Sequence, residues 1–243
     1  LAAMSLLASP PIVPVLTGES GVGKTLVARA VAEGLAKRKR IQRIVEIQGA
    51  ALACGALLWP ERDDRFVRVL EELRHLPGTL VLLEEFDLAI GRSTAAAALL
   101  ASALDAGVQI LGVARPEASR EMLDHATALA RRTRFIAVQP LAALELTAVL
   151  QAKLKAQQSQ CPLKLNPQTL AVLTQAAQTS RGFNPGLALR LLTELQSHAA
   201  WSEAKAIGPD DVYFLASTLK AAAVSSAGED EGQSREEPGE DAE

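Results

Sequence analysis

The 243-residue chain is predicted to be an α/β protein: a doubly wound, mostly parallel five-stranded sheet followed by a helical unit. Three observations carry that prediction. Five short apolar runs alternate with segments of helical spacing, the repeat of a parallel sheet with crossover helices. A glycine-rich stretch sits at the first strand-to-helix junction. Hydrophobic residues make up 49% of the chain but aromatics only 3%, so the core is built from Ala, Leu, Val and Ile, which suits helices on a sheet better than an aromatic-rich β-sandwich.

Ile12–Thr17 is a β-rich run that stops at a glycine, and Thr25–Leu35 after it favours helix: strand, tight turn, helix. Ile44–Gln48 alternates as a second strand. Across Glu61–Leu76, Phe66, Val69, Leu70, Leu73 and Leu76 fall at helical spacing. Thr79–Leu83 has the apolar run of a strand covered on both faces. Ser93–Leu104 is an Ala/Leu helix, Val108–Val113 another buried strand, Glu117–Arg131 a helix, and Phe135–Val138 the fifth strand.

Beyond Pro140 the strand pattern stops. Leu141–Ala156, Pro167–Thr179, Pro185–Ala199 and Pro209–Lys220 read as helices, three of them opened by a proline, whose missing N–H costs nothing in a first turn. Residues 140–220 are therefore expected to form an all-helical unit separate from residues 1–139. Residues 221–243, rich in Ser, Gly, Glu and Asp without apolar periodicity, are expected to be a disordered acidic tail. Gly228–Glu243 holds eight acids against one arginine, −7 within a formal total of −3, which leaves +4 on the body. So small a balance gives little argument for a nucleic-acid partner.

Cys54 and Cys161 are far apart and form no C-x-x-C pair, which speaks against a disulfide framework or structural zinc and for a reducing, cytoplasmic setting. Leu1–Gly18 carries no charge, but Pro10, Pro11 and Pro14 interrupt it and no Lys or Arg precedes it, so neither a signal peptide nor a membrane span is expected. The sequence opens on Leu rather than Met, as a fragment or processed product would. Lys37–Arg40 reads as a solvated helix end, and His75, His125 and His198 fall on separate expected helices without ligand spacing.

Gly18-Glu19-Ser20-Gly21-Val22-Gly23-Lys24-Thr25 fits G-x-x-x-x-G-K-T and lies between a buried strand and a helix N-terminus. Glycines there let the backbone wrap a phosphate with its N–H groups, and the helix end adds partial positive charge. Lys24 reaches the outer phosphates, and the Thr25 hydroxyl ligates magnesium. The octet predicts binding of ATP or GTP. A hydrolase of this kind also needs an acid at the end of a second buried strand to hold the metal through water, and a neighbour that activates the attacking water. Val81-Leu82-Leu83-Glu84-Glu85 supplies both, Glu84 toward the metal and Glu85 as general base. Glu84 stands where Asp is commoner, and its extra methylene carries the carboxylate outward by about one bond.

The order of phosphate loop, apolar strand ending in two glutamates, Gly107–Val113 strand, and helix ending Ala128-Leu129-Ala130-Arg131-Arg132 resembles an AAA+ ATPase. Within that class it is most similar to the first nucleotide-binding domain of Clp-type unfoldases and disaggregases. The resemblance runs from about Leu6 to Leu154 and continues less specifically through the helical unit, which is similar to the AAA+ lid. It implies a phosphate-loop NTPase fold, ATP and magnesium as ligands, and assembly into a ring, hexameric in the family, that remodels or unfolds a protein partner. It puts Ala53-Cys54-Gly55, Glu61 and Arg65 where the family has its substrate-gripping pore loop. It also makes Arg131 and Arg132 candidates for the arginine that completes a neighbouring subunit's site and stabilises charge on the transferring phosphoryl group. From the residues alone, Arg131, Arg132 and Arg134 also read as a solvated helix end favoured by the helix dipole, and both readings stay open.

Three positions depart from the family pattern. Ala114, followed by Arg115, stands where the first sensor has Thr or Asn, and alanine cannot orient a water. Gly186, in Gly182-Phe183-Asn184-Pro185-Gly186, stands where many relatives have the second-sensor arginine; Arg190, one turn on, either substitutes for it at the nucleotide or faces solvent. Leu57-Leu58-Trp59 replaces an aromatic-centred pore-loop triplet, with Trp59 shifted by one, and Trp59 either grips a peptide or packs against a neighbouring subunit or its own chain. The upstream segment that contacts adenine in the family is missing from this sequence, so the choice of ATP over GTP follows from the resemblance.

The leading expectation is an ATP-hydrolysing subunit of a homomeric or mixed ring acting on a protein client. Lys24 and Thr25 then hold phosphates and metal, Glu84 supports the metal, Glu85 positions the water, and Arg131 or Arg132 acts across the interface. The alternative is a degenerate module that binds ATP with little or no hydrolysis and serves as a scaffold or regulatory subunit, because Glu84, Ala114 and Gly186 each depart from the active pattern. A third is a DNA-associated AAA+ ATPase, which Asn184-Pro185 and Ile207–Val212 also resemble. No basic element or helix-turn-helix accompanies them and the acidic tail opposes it, so neither nucleic acid nor membrane is an expected partner.

Overall fold

The computed structural model describes residues 1–10, 12–53, 59–90, 94–117, 127–158, 164–180, 182–202 and 206–218. They belong to two compact units, Leu1–Gln139 and Pro140–Glu243. The expected acidic tail, pore-loop positions 54–58 and most of the expected Glu117–Arg131 helix lie outside the described residues.

In the first unit β1 (Val13–Thr17), β2 (Arg43–Gln48), β3 (Thr79–Glu84), β4 (Gln109–Ala114) and β5 (Thr133–Ala137) pair in the order β2-β3-β4-β1-β5. All four pairings are parallel. Parallel strands need crossovers and are covered on both faces. Accordingly β1, β3 and β4 are buried almost throughout, while the edge strands β2 and β5 are partly exposed.

The pleat sends alternate side chains to opposite faces. Val13, Val15, Val81, Leu83 and Ile110 enter one core, with Phe66 and Leu70 of α4 (Trp59–Arg74), Phe86 and Ile90 of α5 (Phe86–Ile90), Leu100 and Leu104 of α6 (Thr94–Asp105), and Leu129 of α7 (Thr127–Ala130). Leu16, Leu80, Leu82, Leu111 and Val113 enter the other, against Leu6 of α1 (Ala2–Leu6) and Ala28, Ala32 and Leu35 of α2 (Lys24–Lys37). Each fully buried Leu, Ile or Phe contributes about 1.5–3 kcal/mol, and a one-residue slip would exchange the two faces, so the register is firmly held. That register sets Thr17 opposite Ala114, Leu83 opposite Gly112 and Gln48 opposite Glu84, which brings the carboxyl ends of four strands to one edge.

Short helices α1, α5 and α3 (Gly49–Ala53) have no counterpart in the sequence pattern, because five residues are too few to show an apolar stripe. The helix expected to run through Arg131 does not reach it. Glu117 lies in a turn and α7 ends at Ala130. The Arg132 N–H and the Thr133 hydroxyl both donate to the Leu129 carbonyl, at 2.9 and 2.8 Å, while the Arg132 carbonyl accepts from Val13 N–H at 2.8 Å and draws the chain into β5.

The second unit is helical, as expected, with α8 (Ala143–Gln157), α9 (Pro167–Thr179), α10 (Gly186–Trp201) and α11 (residues 209–218) around Leu146, Leu150, Leu173, Leu191, Leu195 and Val212. Asn166 caps α9, its side chain accepting from Thr169 N–H at 2.7 Å ahead of Pro167. The Glu145 carboxylate accepts from Ala142 N–H at 3.1 Å at the start of α8. The unit also holds a two-residue parallel ladder, β6 (Lys164–Leu165) on β7 (Ala206–Ile207), too short to register as an alternating sequence pattern.

Candidate functional site

The loop Gly18–Gly23 joins β1 to α2. A β-carbon on Gly18 (φ 152°) would lie 2.8 Å from the Val138 carbonyl oxygen, and Gly21 (φ 92°) and Gly23 (φ 95°) take left-handed conformations that side chains disfavour. The three glycines of the octet therefore stand where the loop's path excludes a side chain. Val22, 3% exposed, anchors the loop, and Glu19 and Ser20 lie on its exposed side. Gly23 caps the 14-residue α2 without a side-chain hydrogen bond, so the first N–H groups and the helix dipole are directed at the loop, an arrangement suited to an anion.

Lys24 is turned into this loop, its Nζ donating to the carbonyls of Gly18 at 2.6 Å and Glu19 at 2.9 Å. Burial pushes its pKa below the ordinary lysine value, while the carboxylates of Glu19, Glu84 and Asp87 push the other way. The ammonium is thus partly desolvated and held by groups that a phosphate oxygen can replace. Thr25 Oγ1 donates to Glu84 Oε2 at 2.9 Å, although the two residues are 59 positions apart. Two hard oxygen donors at an anion-binding helix end fit a magnesium ion, which takes oxygen ligands and keeps several waters. One turn along α2, Arg29 makes a bidentate pair with Glu46 of β2 at 2.8 and 2.9 Å, and that hydrogen bonding raises the Arg29 pKa.

Glu85, directly after β3, has a left-handed backbone (φ 51°), which for a non-glycine residue costs about 1–3 kcal/mol. The surroundings hold it there. Its carbonyl accepts from the N–H groups of Leu88 (2.9 Å) and Ala89 (3.0 Å), and its carboxylate accepts from Ala50 N–H at 2.8 Å, in the first turn of α3. Gly49 makes that approach possible, since a β-carbon there would collide with the Glu85 carbonyl oxygen.

Two residues not assigned by motif lie at the same sheet edge. Asp87, its side chain 3% exposed, meets Nε of Arg115 at 2.6 Å, and the Arg115 side chain is 60% exposed. Their only sequence signal is an acid soon after the apolar strand and a base after the next strand. Of the other expected site residues, Arg132 donates to Asp105 Oδ1 at 2.5 Å, whereas Arg131 is exposed and, among the described residues, bonds to no other side chain. Arg190 is exposed on α10 of the second unit, and Gly186 is the first residue of that helix. Trp59 opens α4, but its side chain and residues 54–58 lie outside the described residues. Among the described residues no group of three or more His, Cys, Asp or Glu is placed to hold a metal, and no helix is long and apolar enough to cross a membrane.

Comparison with known proteins fits this geometry. The ATP-binding subunit ClpC of the ATP-dependent Clp protease from Staphylococcus aureus (strain USA300) is 24% identical over 197 residues, an alignment covering 76% of this chain and 24% of that protein. The probable ATP-dependent Clp protease ATP-binding subunit of Chlamydia pneumoniae is 29% identical over 198 residues, covering 74% of this chain and 23% of that protein. The chain thus spans about a quarter of the length of the curated relatives it matches. The solved Saccharomyces cerevisiae Hsp104–ADP complex shares the fold, with a TM-score of 0.74 at 21% identity over 90% of this chain and 40% of that one. An extended Hsp104:casein complex from the same yeast gives 0.73 at 22% identity, over 90% of this chain and 40% of that one. Residues 14–138, just over half of the sequence, match the family model of the ATPase family associated with various cellular activities (AAA), and the chain belongs to that family.

Proposed function

We propose that this chain binds ATP with magnesium and hydrolyses it as one subunit of a ring that remodels or unfolds a protein partner. The observation that carries this reading is the Thr25–Glu84 hydrogen bond at the N-terminus of α2, beside a lysine held in the phosphate loop. Loop N–H groups, Lys24 and the α2 dipole hold the phosphates; Thr25 and Glu84 hold magnesium, which when bound neutralises phosphate charge. Glu85 orients a water and takes its proton as the water oxygen bonds to the outer phosphorus and the bond to the ADP oxygen breaks, leaving ADP and phosphate. Its carboxylate accepts from Ala50 N–H and retains lone pairs for a water. Arg131, exposed and bonded to no side chain among the described residues, suits the cross-subunit role better than Arg132, which is tied to Asp105. The protein partner is supported by the Clp protease subunits among the relatives and by a casein complex among the structures that share the fold, and the ring follows from the resemblance to the Clp-type family.

A second reading, an attenuated ATPase that serves as a nucleotide-gated scaffold or as the passive subunit of a mixed ring, is favoured by Ala114. This residue is 3% exposed at the carboxyl end of β4, and its methyl group cannot position a water. Losing one positioned polar group at such a site lowers turnover by about 10²–10³-fold. Steady-state ATP hydrolysis decides between the two, measured where size exclusion shows an oligomer, for wild type, Glu85→Gln and Lys24→Ala. Turnover abolished by Glu85→Gln with ATP binding retained supports the motor. A wild type that binds ATP but turns over no faster than Glu85→Gln supports the scaffold.

A further inference from the structure

The segment Lys37–Arg43 lies at the amino ends of the strands, the edge opposite the phosphate loop, because β2 begins at Arg43 and every pairing in its sheet is parallel. Lys37, Arg38, Lys39, Arg40 and Arg43 are all exposed, and no acid separates them. Among the described residues none of the five forms an ion pair. The helix dipole accounts for Lys37, in the last turn of α2, but its effect fades beyond that turn. The turn that follows is closed by Arg40 N–H on the Leu35 carbonyl at 2.9 Å and Lys39 N–H on the Ala36 carbonyl at 2.8 Å. That pattern usually sets glycine at the left-handed position and an apolar residue after it. Here Lys39 takes the left-handed backbone (φ 56°), which disfavours a side chain, and Arg40 follows it. Two cations thus occupy places that the turn itself would give to other residues. Arg43 is set close by, where the N–H groups of Gln42 and Arg43 both donate to the Gly78 carbonyl, at 2.8 and 3.3 Å.

We propose that these five cations are the docking site of the chain's own acidic segment, residues 229–243. Charge complementarity carries the assignment: Gly228–Glu243, the densest run of acid in the sequence, holds eight acids against one arginine. Its composition offers ionic contact and little else, since Pro238 and Ala242 are its only apolar side chains. Length allows the contact. Thr218 to Glu243 is 25 residues. Extended, such a stretch spans about 80 Å, against a radius of gyration of about 14 Å for a unit the size of Leu1–Gln139. Attachment to the same chain keeps the acids at a high local concentration, so that several individually weak ionic contacts sum to one salt-sensitive contact. The patch lies away from the phosphate-loop edge, so the docking is independent of the ATP reading. While docked, the acidic segment shields the patch from other polyanions.

The test is crosslinking of the whole chain with a carbodiimide, which joins lysine amines directly to carboxylates in contact with them, read by mass spectrometry. Lys153 and Lys155, exposed on α8 and nearer the acidic segment in sequence, report chance encounters. At about 50 mM salt Lys37 and Lys39 are expected to join acids of residues 229–243 about fivefold more often than Lys153 and Lys155 do. At about 1 M salt, where the screening length falls to about 3 Å, the excess should vanish. Arg38→Gln, Arg40→Gln and Arg43→Gln combined keep both reporter lysines and should lower the excess at least about threefold, with a melting curve to show that the variant is folded. Crosslinks that do not favour Lys37 and Lys39, or that persist unchanged in high salt or in the triple variant, overturn the proposal. An excess that grows with protein concentration overturns it in favour of docking between copies. Lys37 and Lys39 that join no acid of the segment but are protected by a short DNA duplex overturn it in favour of a nucleic-acid surface. Each of these outcomes leaves the ATP reading standing.

Discussion

Thr25 and Glu84 meet hydroxyl to carboxylate at 2.9 Å, joining the first turn of the loop-following helix to the end of β3, the strand that leads into the two acids. As the proposed magnesium ligands, they should act only when the metal is present. Thr25→Ala is expected to lower ATP affinity about tenfold with magnesium and to leave it unchanged in chelator, while the ligand-free chain loses about 1 kcal/mol of stability with the hydrogen bond. Paired titrations with and without chelator, plus a melting curve, check both parts.

Lys24 predicts a pH dependence. Burial lowers its pKa in the free protein, and a phosphate beside it raises it again, so binding ATP takes up a proton in the alkaline range below the ordinary lysine value of 10.5. Affinity is therefore highest where the free protein still holds the proton and falls as pH rises through the lowered pKa. ATP dissociation constants measured from neutral pH upward should weaken in that direction, and Lys24→Arg, charged throughout, should flatten the profile.

Gly112 leaves room on β4 for the Phe86 ring, which follows Glu85 in sequence. Gly112→Ala puts a methyl group about 2.8 Å from the Phe86 ring and 3.0 Å from Val15, overpacking that costs about 1–3 kcal/mol. Phe86 lies between Glu85 and Asp87 in sequence, so the variant is expected to lower kcat more than it weakens ATP binding. Melting temperature, turnover and nucleotide titration on the same preparation test this.

Arg131 and Arg132 should separate cleanly. Arg132→Ala removes a partly exposed pair with Asp105 and costs at most about 1 kcal/mol. Arg131→Ala is expected to leave the melting temperature unchanged, keep ATP binding and abolish turnover. Mixing it with Lys24→Ala subunits, which still carry Arg131, should restore part of the activity, as measured by hydrolysis across mixing ratios.

The fold and the family were legible because their signals are short in sequence. An octet is read within eight residues, and a buried strand such as Val81–Leu83 within a few more. The same locality explains what was missed. Helices α1, α3 and α5 are too short to show a period, and the end of α7 is decided by hydrogen bonds to Leu129 and Val13 rather than by any helix-stop residue.

The amino-acid sequence by itself determined the alternation of strands and helices, the glycines of the loop, and the presence of Lys24, Thr25, Glu84 and Glu85 at strand and helix ends. It did not determine which strand ends are neighbours. That depends on the crossover order β2-β3-β4-β1-β5, which two apolar cores select by burying opposite faces of the same strands. Only that packing brings Thr25 to Glu84, Glu85 to the Ala50 N–H and Asp87 to Arg115. Each of these contacts joins elements distant in sequence, and a contact between distant residues leaves no periodicity to read.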